Sequence, residues 1–208
     1  MELEKLYNIN LYQGDCMDLM KQYQDKYFDL AIVDPPYGLP KDAVHGRGKL
    51  KNRAINTMNM KWDVAPNNDY FKELFRISNN QIIWGGNYFQ LPPSRCILCW
   101  DKCQPWENFS QIELAWTSFN YPAQIFKFDN RTGDKIHPTQ KPVQLYKWLL
   151  QKYAKEGDKI LDTHFGSLSI GIACHDLHFE LTASELDKEY YELGKNRLMW
   201  HQKQLNLF

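Results

Sequence analysis

The stretch Phe28-Asp29-Leu30-Ala31-Ile32-Val33-Asp34-Pro35-Pro36-Tyr37 decides how this chain folds. Its first six residues have the length and apolar character of a strand buried in a parallel sheet. Two successive prolines must end that strand, so Asp34 to Tyr37 lie at its carboxyl end, where open α/β sheets place their ligands. A carboxylate, a carbonyl with no neighbouring N–H and an aromatic ring are thereby fixed at the lip of a cleft. That set suits a flat heterocycle carrying an amino group. Asp34 and the Pro35 carbonyl accept the two amine hydrogens, and Tyr37 stacks on the ring. A turn in which the prolines merely stop a strand uses the same four residues, so the rest of the chain must decide.

At 208 residues, 43% hydrophobic and 14% aromatic, the chain fills one well-packed domain, 1–208, and is short for two. Formal net charge is zero, so a nucleic-acid surface has to come from local clustering. Lys41, Arg47, Lys49, Lys51 and Arg53, with His45, form such a cluster directly after the proline tetrapeptide, against Asp42 as its one acid. A solvated loop is the plain alternative. Residues 1 to 10 lack the apolar core of a signal peptide, and no apolar run approaches the ~20 residues of a membrane span. A cytoplasmic location is expected, and the five cysteines are then expected as thiols. No metal is assigned: Cys96, Cys99 and Cys103 have a zinc-like spacing, but Arg95–Trp100 reads as a strand, where positions three apart point to opposite faces, and Cys174, His175 and His178 fall on a helical run where a core or surface placement is the plain reading.

Along the chain, Leu6 to Tyr12 predicts a strand ending at Gly14-Asp15, followed by a helix over Met17 to Tyr23. Residues 38 to 67 are rich in Gly, Asn and Lys without periodicity, a loop far longer than the usual ~4–6 residues. A helix over Asn68 to Ile77, capped by Asn68 or Asp69, comes next, then strand-like runs at Gln81–Trp84, Cys96–Trp100, Glu113–Thr117 and Gln124–Phe128. A second loop carries Arg131, Lys135 and His137-Pro138-Thr139-Gln140-Lys141-Pro142. After a helix through Tyr153, closed by Gly157-Asp158, the carboxyl third alternates strand, helix, strand, helix.

That last third holds the plan of a nucleoside site: strand, Gly-containing turn, helix, and an acid at the end of the next strand. The turn is Asp162-Thr163-His164-Phe165-Gly166-Ser167, and the acid is Glu185. Gly-x-Gly-x-x-Gly is absent, which disfavours a pyrophosphate. A nucleoside bearing an amino acid, such as S-adenosylmethionine, is compatible. Asp162 would take its ammonium, Gly166 would let the backbone approach, and Glu185 would take the ribose.

Taken together, these motifs resemble the permuted, or β-class, exocyclic amino DNA methyltransferases of N6-adenine type, most of all the compact members found in prophages and mobile elements. In that family the Asp-Pro-Pro-Tyr tetrapeptide precedes the cofactor turn, as Asp34–Tyr37 precedes Asp162–Ser167 here. The segment His137–Pro142 matches a cofactor-side element of the family, and Gly14-Asp15 its short amino-terminal motif. Trp84-Gly85-Gly86-Asn87 and Glu113-Leu114-Ala115-Trp116 look like sheet segments of the same family. The resemblance covers roughly residues 6 to 200. Where the family's turn reads Asp-Pro-Phe, any residue, Gly-Ser-Gly, this chain has Thr163, His164 and Leu168. A leucine at that place would narrow the methionine pocket or shift the helix start.

The resemblance implies an α/β, single-domain Rossmann-like fold with a mixed, mostly parallel seven-stranded sheet and the permuted motif order. It implies S-adenosylmethionine as cofactor, held by Asp15, Asp34, His137, Thr139, Gln140, Lys141, Asp162, Phe165, Gly166, Ser167 and Glu185. It also implies Asp34, Pro35, Pro36 and Tyr37 as catalytic residues, with double-stranded DNA as substrate. Cytosine N4 transfer is the close alternative, since the family's cytosine-amino enzymes more often carry Ser at the place of Asp34. Methylation of an amide or of RNA, and a binding protein without catalysis, are further rivals. A homodimer and a separately encoded restriction endonuclease stay open as partners. If Lys49 and Lys51 track DNA phosphates, changing both to Gln flattens the slope of log affinity against log salt by up to ~2 units. Titrations at several salt concentrations check this, and an unchanged slope removes these lysines from the phosphate contacts.

Overall fold

The computed structural model describes residues 2–38, 64–105, 110–129, 136 and 140–205. Nine strands make one sheet: β1 (Glu4–Leu6), β2 (Ile9–Gln13), β3 (Phe28–Val33), β4 (Ser78–Trp84), β5 (Leu98–Asp101), β6 (Ile112–Thr117), β7 (Gln124–Lys127), β8 (Lys159–Asp162) and β9 (Glu180–Glu185). Their order across the sheet is β1-β2-β9-β8-β3-β4-β6-β5-β7. β2, β9, β8, β3 and β4 run parallel; β1 joins β2 antiparallel at one edge, and β6 joins β4 antiparallel, with β5 and β7 beyond it. The expected mixed, mostly parallel sheet is present, with nine strands among the described residues where seven were expected. One added strand arises because the run read as a single strand from Leu6 to Tyr12 breaks at Tyr7, whose φ of 57° reverses the chain into the β1–β2 hairpin.

β3 explains why both faces need cover. Leu30 and Ile32 point into one core cluster with Ile82 and Trp84 of β4, while Ala31 and Val33 point into the other with Ile83. Helices α1 (Cys16–Met20) and α2 (Asn68–Ile77) supply Leu19, Met20, Tyr70, Phe71 and Leu74 to the second cluster. Helices α3 (Val143–Tyr153), α4 (Ser169–Asp176) and α5 (Lys188–Leu205) cover the first. Each fully buried aliphatic side chain contributes roughly 1.5–3 kcal/mol. The polar residue inside the β3 run is accounted for, because the Asp29 carboxylate accepts the Lys159 N–H at 2.9 Å and so ties β3 to the start of β8.

Element ends follow local chemistry. Asn67 caps α2, accepting from the N–H groups of Asp69 and Tyr70 at 3.0 and 3.2 Å, one residue before the expected cap. α1 has only five residues, and Arg76 from α2 donates to the Met20 and Tyr23 carbonyls that follow it. α3 stops at Tyr153, and Gly157 takes a φ of 86° in the turn beyond.

α4 starts at Ser169 because Leu168 adopts the left-handed region, with φ 54°. That conformation costs a non-glycine residue about 1–2 kcal/mol, which burial of the Leu168 side chain at 0% exposure, worth about 1.5–3 kcal/mol, offsets. The room for it comes from Gly171 and Gly194, where an added Cβ would stand 2.7 Å from Leu168 Cγ and 3.1 Å from its Cβ. Gly171→Ala gains about 0.5–1 kcal/mol of helix propensity and loses about 1–3 kcal/mol to overpacking. A lower urea midpoint is therefore expected, and a raised one would contradict this packing.

Candidate functional site

Because β2, β9, β8, β3 and β4 are parallel, their carboxyl ends share one edge of the sheet. The chain leaves β8 toward α4 and β9 on one side and leaves β3 toward α2 and β4 on the other. The reversal between β8 and β3 is where open α/β sheets form their binding crevice. A cleft of about 390 Å³ opens there, within the size range of small-molecule sites. Asp15, Asp34, Pro36, Gln140, Lys141, Phe165, Gly166, Ser167 and Glu185 all line it. Nine of the sequence-derived candidates from five separate segments are thus brought together.

Asp34 stands at the β3 end of the cleft with both carboxylate oxygens engaged. The Tyr37 hydroxyl donates to Oδ1 at 2.7 Å, and the Lys141 ammonium pairs with Oδ2. Lys141 also lies 3.1 Å from Glu113 Oε2 and 5.3 Å from the centroid of the Trp84 ring, while Lys102 reaches Glu113 Oε1 at 2.6 Å. Burial alone would raise the Glu113 carboxyl, but the charges of Lys141 and Lys102 outweigh it and hold the group at about 2. Burial works against the Lys141 charge too, and the Asp34 and Glu113 carboxylates more than compensate, so its ammonium is raised. Burial, then the Asp34 carboxylate, push the Tyr37 phenol well above its usual range and keep it a neutral donor.

Pro35 is buried, and neither it nor Tyr37 lines the cleft among the described residues. The Tyr37 ring instead stacks on Tyr88, with centroids 4.9 Å apart and planes 22° from parallel. It also presses on Gly85, where a Cβ would meet the ring at 2.1 Å and where φ is 68°. Only glycine fits that turn after β4.

At the opposite end of the cleft, Glu185 accepts the Gly166 N–H at 2.9 Å and the Asp187 N–H at 3.0 Å. A carboxylate has about four acceptor positions, so these backbone N–H groups, with that of Leu186 beside them, leave Glu185 capacity for a ligand. Phe165 and Leu186 give that end apolar walls. Asp162 is 1% exposed and does not line the cleft; it accepts the His164 N–H at 3.0 Å beneath the turn. Burial, reinforced by the Asp34 and Glu185 charges, pushes its carboxyl up to about 8.

The two departures at the turn have structural answers. Thr163 bonds the Tyr70 hydroxyl at 2.7 Å and His164 Nδ1 at 2.9 Å, and burial lowers the imidazole to about 4, so it is neutral. The Leu168 side chain packs in the core against Gly171 and Gly194 and does not line the cleft, so it leaves the pocket width unchanged and alters only the helix start. Arg197 from α5 holds the turn from behind, donating to the Ser167 carbonyl at 2.8 Å and Ser169 Oγ at 2.9 Å. Asp15 caps α1, accepting the Met17 N–H at 2.8 Å.

His137, Thr139, Arg131, Lys135, Lys41, Arg47, Lys49, Lys51 and Arg53 lie outside the described residues. The sequence reading passed over Glu113 as a functional residue, along with Lys102, Tyr70 and Tyr88. Glu113 carried a signal, since a carboxylate beginning the run Glu113-Leu114-Ala115-Trp116 within β6 demands a buried cation.

A family model described as DNA methylase matches residues 51–196. Among curated relatives, the type II methyltransferase M2.MboI of Moraxella bovis is 27% identical, the match covering 91% of this chain and 87% of that protein. M.HpaI of Haemophilus parainfluenzae is 33% identical, covering 89% and 72%. Two solved structures share the fold: the M1.HpyAVI–SAM complex, with TM-score 0.60, 21% identity and 91% and 99% coverage, and the PvuII DNA methyltransferase (cytosine-N4-specific), with TM-score 0.64, 13% identity and 92% and 86% coverage. With the family model spanning more than half of its length, this chain belongs to the DNA methylase family.

Proposed function

We propose that this protein transfers a methyl group from S-adenosylmethionine to the N6 amino group of adenine in duplex DNA. The observation that carries the proposal is the placement of the Asp34 carboxylate on the wall of the same cleft that Glu185 and the Phe165–Ser167 turn close at its other end. When bound, S-adenosylmethionine supplies an electrophilic methyl group on a sulfonium. The residues fit that ligand. Glu185 has acceptor capacity for ribose hydroxyls, Phe165 and Leu186 flank a slot for the purine, and Asp34 and Asp15 put negative charge near a cationic ligand.

An exocyclic amine conjugated with its ring is a poor nucleophile. By accepting a hydrogen of that amine, Asp34 draws the lone pair out of conjugation and aims it, and takes the proton released as the nitrogen gains the methyl group and the sulfonium leaves as a neutral thioether. The Tyr37 hydroxyl fixes Asp34, and its ring, stacked on Tyr88, braces that hydroxyl from outside the cleft. A base inside a duplex cannot reach this strand end, so the adenine flips out of the stack. Contacts to phosphates are assigned from sequence alone to Lys41, Arg47, Lys49, Lys51 and Arg53. Cytosine N4 presents the same donor pair. The preference for adenine follows from Asp at position 34, where the related cytosine-amino enzymes more often have Ser.

Nucleoside mass spectrometry of duplex DNA treated with isotope-labelled methyl donor is expected to find labelled N6-methyladenine. Labelled N4-methylcytosine would overturn the choice of base. Asp34→Ala is expected to cost ~10²-fold or more in rate with cofactor affinity within a few-fold, and retention of more than about a tenth of the rate contradicts its role. Glu185→Ala is expected to weaken S-adenosylmethionine binding by about 1–3 kcal/mol in calorimetry. An unchanged affinity would move the nucleoside elsewhere.

A further inference from the structure

We propose that Lys141 is a positioning residue for methyl transfer, its ammonium fixing the Asp34 carboxylate in place from a buried seat on Glu113, and that it is not a cofactor ligand. The inference rests on the reading of Asp34 as the acceptor for the target amine. The Lys141 side chain is 2% exposed, and an ammonium buried so far survives only where carboxylates answer it. Its partners come from two distant parts of the fold, Asp34 from the end of β3 and Glu113 from β6. Lys102 then closes the row, so that two cations and two carboxylates alternate and their charges cancel.

The row meets the cleft at its Asp34–Lys141 end. Both residues line the cavity, but the Asp34 side chain is 16% exposed and that of Lys141 only 2%, and Glu113 is absent from the cavity wall. Tyr37 and Lys141 together use two of the roughly four acceptor positions on Asp34, which leaves capacity for an incoming amine without either partner being displaced. The Trp84 ring beneath the ammonium limits where it can go. Lys141 therefore holds the carboxylate both electrically and in direction.

Removing the cation has a definite consequence. Besides Lys141, the titratable groups around Asp34 are Tyr37, Tyr70, Tyr146, Asp162 and, across the ammonium, Glu113. The three phenols are held neutral by burial, so no other cation among these groups replaces Lys141. Without it, Asp34 faces the Glu113 carboxylate with no cation between them, which disfavours the charged form relative to the unaltered protein, and a protonated Asp34 is a weaker acceptor for the amine. Removing the Glu113 charge instead leaves Lys141 wholly to Asp34 and acts in the opposite direction.

The test measures kcat against pH at saturating cofactor, and S-adenosylmethionine affinity by calorimetry, for Lys141→Met and Glu113→Gln. For Lys141→Met the expectation is a loss of ~10–100-fold in kcat near neutrality, an acidic limb moved up by about one pH unit or more, and cofactor affinity within about threefold. Glu113→Gln is expected to move the acidic limb down. A purely structural role would not give shifts of opposite sign. Cofactor affinity weakened tenfold or more with kcat unchanged would make Lys141 a cofactor ligand and overturn the inference, as would wild-type pH profiles in both variants. If Lys141→Met fails to fold, Glu113→Gln decides alone: a downward shift supports the inference, and no shift or an upward one overturns it. Should Asp34→Ala stay active, the underlying reading of Asp34 fails; should it be inactive while both shifts are missing, only the role of Lys141 fails.

Discussion

A carboxylate at the end of a strand buried on both faces persists only if a cation and hydrogen-bond donors answer its charge, and in this fold Asp34 is answered by Lys141 and Tyr37. Much of the surrounding structure follows from that demand. Lys141 needs a second carboxylate to sit at depth, which fixes Glu113 on β6; Glu113 in turn draws Lys102 from the segment after β5. Tyr37 can reach Asp34 only because Gly85 has no side chain where the phenol ring lies. The antiparallel extension of the sheet, β6 and β5, therefore serves the site as well as the core.

The parallel half of the sheet does the complementary work. β8 and β9 bring the Asp162–Ser167 turn and Glu185 to the same edge that receives Asp34, and the cleft lies where the connections part in opposite directions. Glu185 accepts the Gly166 and Asp187 N–H groups, which sets the turn's shape, and retains acceptor capacity for a ligand. Arg197 supports the turn from α5. The His164 imidazole stays neutral beside it, so the family's apolar pair at this turn is exchanged for polar groups that satisfy one another without adding charge.

What could be read from sequence were the features set by local chemistry. The β3 run and its two prolines placed Asp34 at a strand end, and Gly166 with Glu185 marked the nucleoside turn, because strand ends, glycines and acids act within a few residues of themselves. The number of strands was not legible, since the hairpin depends on Tyr7 adopting a positive φ that its residue type does not announce. Leu168 was misleading for a related reason. Its side chain is accommodated by Gly171 one turn onward and Gly194 on another helix, a compensation visible only in three dimensions. The Lys141–Glu113 pair joins residues far apart in the chain, and a lysine beside the His137–Gln140 segment gave no hint that it turns toward Asp34.

In the proposed reaction the Asp34 carboxylate receives the target amine in the cleft that holds the methyl donor. A crystal structure of the protein with duplex DNA and a non-reactive S-adenosylmethionine analogue tests it most directly. The account predicts an adenine turned out of the helix, its amino nitrogen at ~2.7–3.2 Å from an Asp34 oxygen and facing the place of the transferable methyl group, with the analogue's ribose on Glu185. A base bound with its amino group away from Asp34, or an analogue seated elsewhere than between Glu185 and Asp34, would contradict it.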